Sequence, residues 1–200
     1  LVRHAAERDA ARAVALHEVG HFLGLCHSAI RDAVMWPFIP ANVVQGRQLK
    51  PDDVAWVSAL YSKQPAYAAA FGGVRGRVTN GANGLPVFGA HVFAVDPATQ
   101  RRSVGTYSAQ NGEWTLPGVV PGNWLVAIEP LDGDPPGLEP FRVNAVVADT
   151  PDTNFPEEYF DPAEGPVEAD PTAASAIPVS AGAVASGVDL VTNTVTLPGA

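Results

Sequence analysis

Three of the five histidines in this chain fall within one short stretch, His17-Glu18-Val19-Gly20-His21-Phe22-Leu23-Gly24-Leu25-Cys26-His27. His17 and His21 stand four apart, so on a helix they share one face, one turn apart. Two imidazoles so placed can each give a nitrogen to one Zn²⁺ at roughly 2.0–2.1 Å. Gly24 follows three residues after His21. Glycine takes positive φ without steric cost and is the usual residue just past a helix end. The helix is therefore expected to stop there and the chain to turn back, bringing His27 toward the same ion from a third direction. Three neutral histidines leave one tetrahedral position open for water, which is the pattern of a catalytic site and not of a closed structural one. Glu18 sits beside a ligand and next to that open position, where a carboxylate can take a proton from the water. The plain alternative is three histidines and a glutamate on an ordinary amphipathic helix. It must account for both spacings and for the glycine between them.

The stretch reads H-E-x-x-H-x-x-G-x-x-H and resembles the metzincin zinc proteases. The residues that follow, Ser28-Ala29-Ile30-Arg31-Asp32-Ala33-Val34-Met35-Trp36-Pro37, resemble the matrixin branch. There Ser follows the third histidine, where the astacin branch has Glu and the adamalysin branch Asp, and a methionine stands in an M-aromatic-Pro context. The resemblance implies that Met35, the only methionine in the chain, lies beneath the metal as an apolar floor. Taken alone, a single Met also fills core gaps. The resemblance further implies that Trp36 to Val44 wall the pocket for the residue just after the scissile bond. Pro37, Phe38 and Ile39 stand where family members often carry Pro-x-Tyr. With Val43 and Val44 they suggest an apolar wall and a hydrophobic substrate side chain. Finally, Gln48 to Tyr61 resembles the last helix of matrixin catalytic domains, in which an Asp of the Asp52-Asp53 pair, here Asp53, braces the methionine turn. Pro51 suits a first helical turn and two acids there suit the helix dipole, so a helix-start charge pair accounts for them too. The resemblance covers roughly residues 10 to 62.

The elements that must position these residues are few. Residues 3–24 read as one helix of good helix formers. Val14, Ala15, Phe22 and Leu25 are expected to supply apolar contacts around the histidine face, and Arg8, Asp9 and Arg12 a solvated face. Ser28 to Gln48 reads as mostly loop, and 51–62 as a closing helix. One cysteine rules out an intrachain disulfide. If its segment is extended, Cys26 points away from His27, and a buried structural thiol is the expected role, before a zinc ligand or redox switch.

After Lys63 the character changes. A proline, an alanine run and paired glycines at 63–73 read as a linker. Beyond it come short strands between Gly and Pro turns: Val74–Thr79, Ala90–Asp96, Arg101–Ser108, Glu113–Leu116, Asn123–Glu129 and, after irregular loops over 130–182, Ser186–Thr192. Even spacing of this kind indicates a β-sandwich. Gly76-Arg77-Val78, Leu85 to Val92, Asn111 to Gly118 and Pro121 to Trp124 resemble the carboxypeptidase regulatory-like, transthyretin-like sandwich. No catalytic set is visible in it. His91, in a strand without evident partners, reads as structural. Asp132, Asp134, Asp149 and Asp152 could bind Ca²⁺, but they lack an EF-hand spacing and read first as solvated loop acids. Trp114 and Trp124 read as core before sugar platforms.

The fold class expected is therefore multidomain α plus β, with the helical C-terminal part of a metzincin catalytic domain (1–62), a linker (63–73) and an Ig-like or transthyretin-like all-β sandwich (74–200). A formal charge of −9 argues against a nucleic-acid surface or a polybasic membrane patch. No apolar run reaches the roughly 20 residues of a membrane span. The chain opens directly in charged, Ala-rich sequence, whereas matrixins carry a twisted β-sheet ahead of the zinc helix. The chain is thus expected to be a fragment or truncated product of a secreted protein. The implied function is a zinc endopeptidase acting on protein or peptide substrates, with an accessory sandwich that binds a protein or carbohydrate surface. The alternative is a non-catalytic binding or adhesion module that carries an incomplete protease remnant.

Overall fold

A computed structural model describes residues 2–38, 48–131, 151–163 and 173–193. Three helices come first: α1 (Val2–Phe22), α2 (Pro51–Tyr61) and the short α3 (Ala66–Ala70). The strands follow as β1 (Gly72–Asn80), β2 (His91–Val95), β3 (Arg102–Tyr107), β4 (Glu113–Val119), β5 (Gly122–Glu129), β6 (Glu158–Tyr159), β7 (Ile177–Val179), β8 (Val184–Ala185) and β9 (Leu190–Thr192). A small helical part thus precedes a sandwich-like all-β region. In one sheet β4 pairs antiparallel with β1, and β8 and β9 pair parallel with β1. The other runs β3-β2-β5, with β6 and β7 also paired to β5. Among the described residues, no helix is long and apolar enough to cross a membrane.

The five longer strands fall where alternation and turn residues predict them. The final strand is shorter than expected, Leu190–Thr192 in place of 186–192. The sequence reading left 130–182 as loop, yet β6 and β7 lie inside it. Strands of two or three residues have no period to detect, and partners on β5 hold them in place.

Val74, Val78, Trp114 and Leu116 of one sheet meet Val92, Ala94, Val126 and Ile128 of the other in the main core. Trp124 is half-buried against it, its Nε1–H donating to the Val120 carbonyl. Ala55 of α2 is fully buried in this same core. It enters where Gly118 has φ +67° and no side chain, since a Cβ there would lie 2.5 Å from the Ala55 Cα.

A sandwich strand usually alternates between core and solvent. All five residues of β2 are buried instead. Val92 and Ala94 face the sandwich core, while Phe93 and Val95 join Ile30, Ala33 and Ala127 in a second cluster. Ala29 and Leu131 form a third, flanked by Trp36 and Tyr107. The loop after His27 therefore lies on the outer face of the β3-β2-β5 sheet. Full burial of a side chain such as Phe93 or Ile30 stabilises by about 1.5–3 kcal/mol, so this cover is a substantial part of the fold. His91 shares that outer face and does have a partner, contrary to the sequence reading: its Nδ1 lies 2.8 Å from Glu129 Oε1. Burial holds the imidazole pKa below its ordinary value, against the opposing pull of Glu129.

Candidate metal centre

Helix α1 carries the first two histidines. From Ala10 onward its buried residues are Ala13, His17 and Gly20, at helical spacing. Val14 and Ala15 are exposed, and Phe22 is 88% exposed. These three, expected to supply apolar packing, face solvent instead, because among the described side chains of α1 the buried ones are Ala13, His17 and Gly20. The helix stops at Phe22 and Gly24 follows at φ +87°. There the Leu25 N–H donates to the Gly20 carbonyl and the Gly24 N–H to that of His21. This paired pattern is a Schellman ending, which depends on a residue that tolerates the left-handed region.

The reversal brings His27 back onto the helix. The Nε2 atoms of His21 and His27 lie 3.1 Å apart, and one ligand atom from each of His17, His21 and His27 falls within 4.8 Å of the others. Three nitrogens on one tetrahedral zinc would be about 3.3 Å apart. The outward nitrogens are already committed: His17 Nδ1 is 2.8 Å from the Val34 carbonyl oxygen and His21 Nδ1 is 2.9 Å from that of Leu25. A carbonyl only accepts, so each Nδ1 carries the proton and each Nε2 is left as a lone-pair donor. That is the usual second support of a metal-binding histidine, and the donor set fits Zn²⁺. Among the described residues no other group of three or more His, Cys, Asp or Glu is arranged to hold an ion.

Beneath the histidines the loop is closed by its own backbone. The Ser28 N–H donates to the Met35 carbonyl, and Ser28 Oγ accepts from the Ile30 N–H. Met35 is 2% exposed. Its thioether fills the space that the missing side chain of Gly20 leaves on α1. Asp53 holds this turn from α2: Oδ2 accepts from the Val34 and Lys50 N–H groups and Oδ1 from the Met35 N–H. Val34 therefore links Asp53, through its N–H, to His17, through its carbonyl. Burial raises the Asp53 pKa, against these three bonds, which lower it. Asp52 is buried too and points the other way, its Oδ1 accepting from the Gly105 N–H of β3 at 2.8 Å. Burial pushes its pKa up to about 7, although the bonds from Gly105 and Ser28 oppose the shift.

Glu18 is exposed on α1, one residue from His17. Pro37 is half-buried, and Phe38 is 46% exposed with its ring 6.1 Å from that of Trp36. Ile39, Val43, Val44, Asp132, Asp134 and Asp149 lie outside the described residues. Asp152 uses its carboxylate in a local turn, accepting from the Asn154 N–H. Cys26 corrects the expectation of a buried thiol, because it is exposed. The side of the segment opposite His27 is solvent, not core. A cavity of about 240 Å³ opens behind the loop, lined by His27, Ser28, Met35, Asp52, Trp56 and Tyr107 among others. Sequence reasoning passed over Gly20, Gly105 and Tyr107. The first has a signal, since it lies three residues beyond His17 on the same helix face. The other two lie in a strand whose sequence says nothing about what covers it.

Residues 3–62 match the family model described as matrixin, and residues 73–155 match that of the carboxypeptidase regulatory-like domain. The chain is 56% identical over 48 residues to Matrix metalloproteinase-2 of Drosophila melanogaster, a match covering 24% of this chain and 6% of that one. It is 44% identical over 52 residues to Matrilysin of Felis catus, covering 26% and 20%. The chain thus spans a fifth or less of these relatives' length. Among solved structures, the minor pilin GBS52 of Streptococcus agalactiae aligns over 66% of this chain and 48% of its own, at 9% identity and a TM-score of 0.36.

Proposed function

We propose, from the premise that residues 3–62 are a matrixin segment and residues 73–155 a carboxypeptidase regulatory-like domain, that this chain is the metal-holding part of a zinc-dependent endopeptidase. The observation that carries the reading is the convergence of His17, His21 and His27, two of them fixed by carbonyls at Nδ1 so that Nε2 carries the lone pair that faces the cluster. Zinc bound there would supply a Lewis acid that polarises a peptide carbonyl and acidifies water. Glu18 is the general base: its carboxylate takes a proton from the attacking water and passes it to the leaving amine. Met35 is the apolar floor, with Gly24, Ser28 and Asp53 holding the turn around it. Pro37, Phe38 and Ile39 wall the subsite that accepts a hydrophobic side chain. Substrates are proteins or peptides, the sandwich binds a protein or carbohydrate surface, and the protein is secreted and works in the extracellular matrix. The matrixin match over residues 3–62 supports the protein substrates.

The test is zinc content and peptide hydrolysis of the full-length gene product beside its Glu18→Ala variant. One zinc in each, with turnover reduced by roughly 10²–10⁴-fold in the variant, is the result expected for loss of a general base. Equal cleavage by the two would remove Glu18 from the mechanism. An absence of zinc in the parent would favour a binding module built around a protease remnant.

A further inference from the structure

We infer that the outer face of the β3-β2-β5 sheet is a positioning platform for the three-histidine site, anchored at Gly105, so that zinc affinity depends on the sandwich as well as on α1. This rests on the metal reading of His17, His21 and His27. Among the described strands β3 ends its sheet, and an end strand leaves backbone groups that must be paired or covered. At Gly105 both are taken by α2. The N–H donates to Asp52 Oδ1 at 2.8 Å, and the carbonyl accepts from Trp56 Nε1 at 2.9 Å. The residue must also lack a side chain. A Cβ there would lie 2.6 Å from His91 Nε2 and 3.0 Å from Ile30 Cγ1.

Ile30 is 1% exposed and only three residues beyond His27. It and Ala33 seat on Phe93, Val95 and Ala127. Two residues along β3, the Tyr107 hydroxyl reaches the His27 carbonyl oxygen in a long bond of 3.4 Å. The segment from His27 to Ala33 thus rests on the sheet, while Asp53 holds Val34 and Met35 from α2. Because α2 is itself fixed to β3 through Asp52 and Trp56, the sheet locates both supports of the metal loop. Asp52, Trp56, Gly105 and Tyr107 are positioning residues.

The experiment compares the whole chain with Trp56→Phe, Tyr107→Phe, Asp52→Ala and Asp52→Asn, under conditions where each is folded by circular dichroism. Trp124→Phe, which loses an indole bond elsewhere in the sandwich, is the control. Two quantities are read: hydrogen exchange at the Ser28 and Val34 amides without metal, and zinc affinity by chelator competition. Trp56→Phe and Asp52→Ala are expected to speed exchange at both amides and to weaken zinc about 10–100-fold, the range for outer supports of a metal site. Tyr107→Phe should do so less, Asp52→Asn should stay near the parent because an acceptor oxygen remains, and Trp124→Phe should change neither. Exchange equal to the parent in Trp56→Phe and Asp52→Ala would overturn the platform. Faster exchange with unchanged zinc affinity would overturn it too, since the sheet would then hold the loop without holding the ligands. A parent that takes up no zinc fails the metal reading itself, whereas the exchange rates still decide whether the sheet holds the loop.

Discussion

At the scale of single residues, adjacent acids divide the work. Asp53 turns inward to three backbone N–H groups, two of them in the methionine turn, and Asp52 turns outward to one strand. Burial dominates the titration of Asp52, raising its pKa from 3.8 to about 7. A carboxyl whose folded pKa exceeds its unfolded value favours folding when protonated. That contribution is complete below the unfolded pKa and is lost as pH rises through the folded one. Asp52 should therefore withdraw stability between about pH 4 and pH 7, by on the order of 4 kcal/mol at most, while His91 and Glu129, both held low, act in the opposite direction. Asp53, shifted in the same direction as Asp52, adds to its trend. Asp52→Asn should flatten this slope, matching the parent near pH 4 and exceeding it above pH 7. Thermal melts from pH 4 to 8 check it, and parallel curves for parent and variant would contradict the assignment to Asp52.

At the scale of elements, α2 joins the histidine loop to the sandwich beside the direct seating of Ile30 and Ala33, and it needs a closely approaching strand on each side. Gly118 supplies one at φ +67° against Ala55. A valine there would be both overpacked and in a backbone region that β-branched residues avoid. Gly118→Val is expected to cost about 3 kcal/mol or more, read as a lowered denaturant midpoint. A loss below about 1 kcal/mol would mean that α2 withdraws from the core easily. The same elements mark what the sequence could and could not reveal. The spacing of His17, His21, Gly24 and His27 is local, since helix period and a glycine stop determine it, so the cluster was legible. The strands from β1 to β5 were legible from alternation and turns. The double burial of β2 was written in the run His91-Val92-Phe93-Ala94-Val95, apolar on both faces apart from one histidine. Nothing in that run says that Ile30 and Ala33 are the cover. Asp52 meeting Gly105 was not legible at all, because a backbone N–H has no residue identity. The exposure of Cys26 was missed for a related reason: local geometry gives a direction, and only the assembled fold says whether that direction is core or water.

At the scale of the whole molecule, Ala55 lies in the main sandwich core and Ile30 on the sandwich's outer sheet. Segments joined in this way are expected to unfold together. Zinc at about 100 times its dissociation constant should stabilise the folded chain by roughly 2.7 kcal/mol. For a chain of this size that raises the melting temperature by about 5–10 °C. The rise should appear in the fluorescence of Trp114, buried in the sandwich core, as much as in the helical signal. A Trp114 transition that ignores zinc would mean that the two regions melt independently.

The close fit of Ala55 against Gly118 also bears on how such a chain can be inherited. A gene rearrangement that brought a different sandwich behind the histidine segment would need glycines at two matching places, facing Ala55 and facing Ile30. Without both, the newcomer could be tethered but not seated. The two segments are thus matched by backbone shape at Gly118 and Gly105, so that a sandwich and a histidine segment taken from different chains would join by their linker alone.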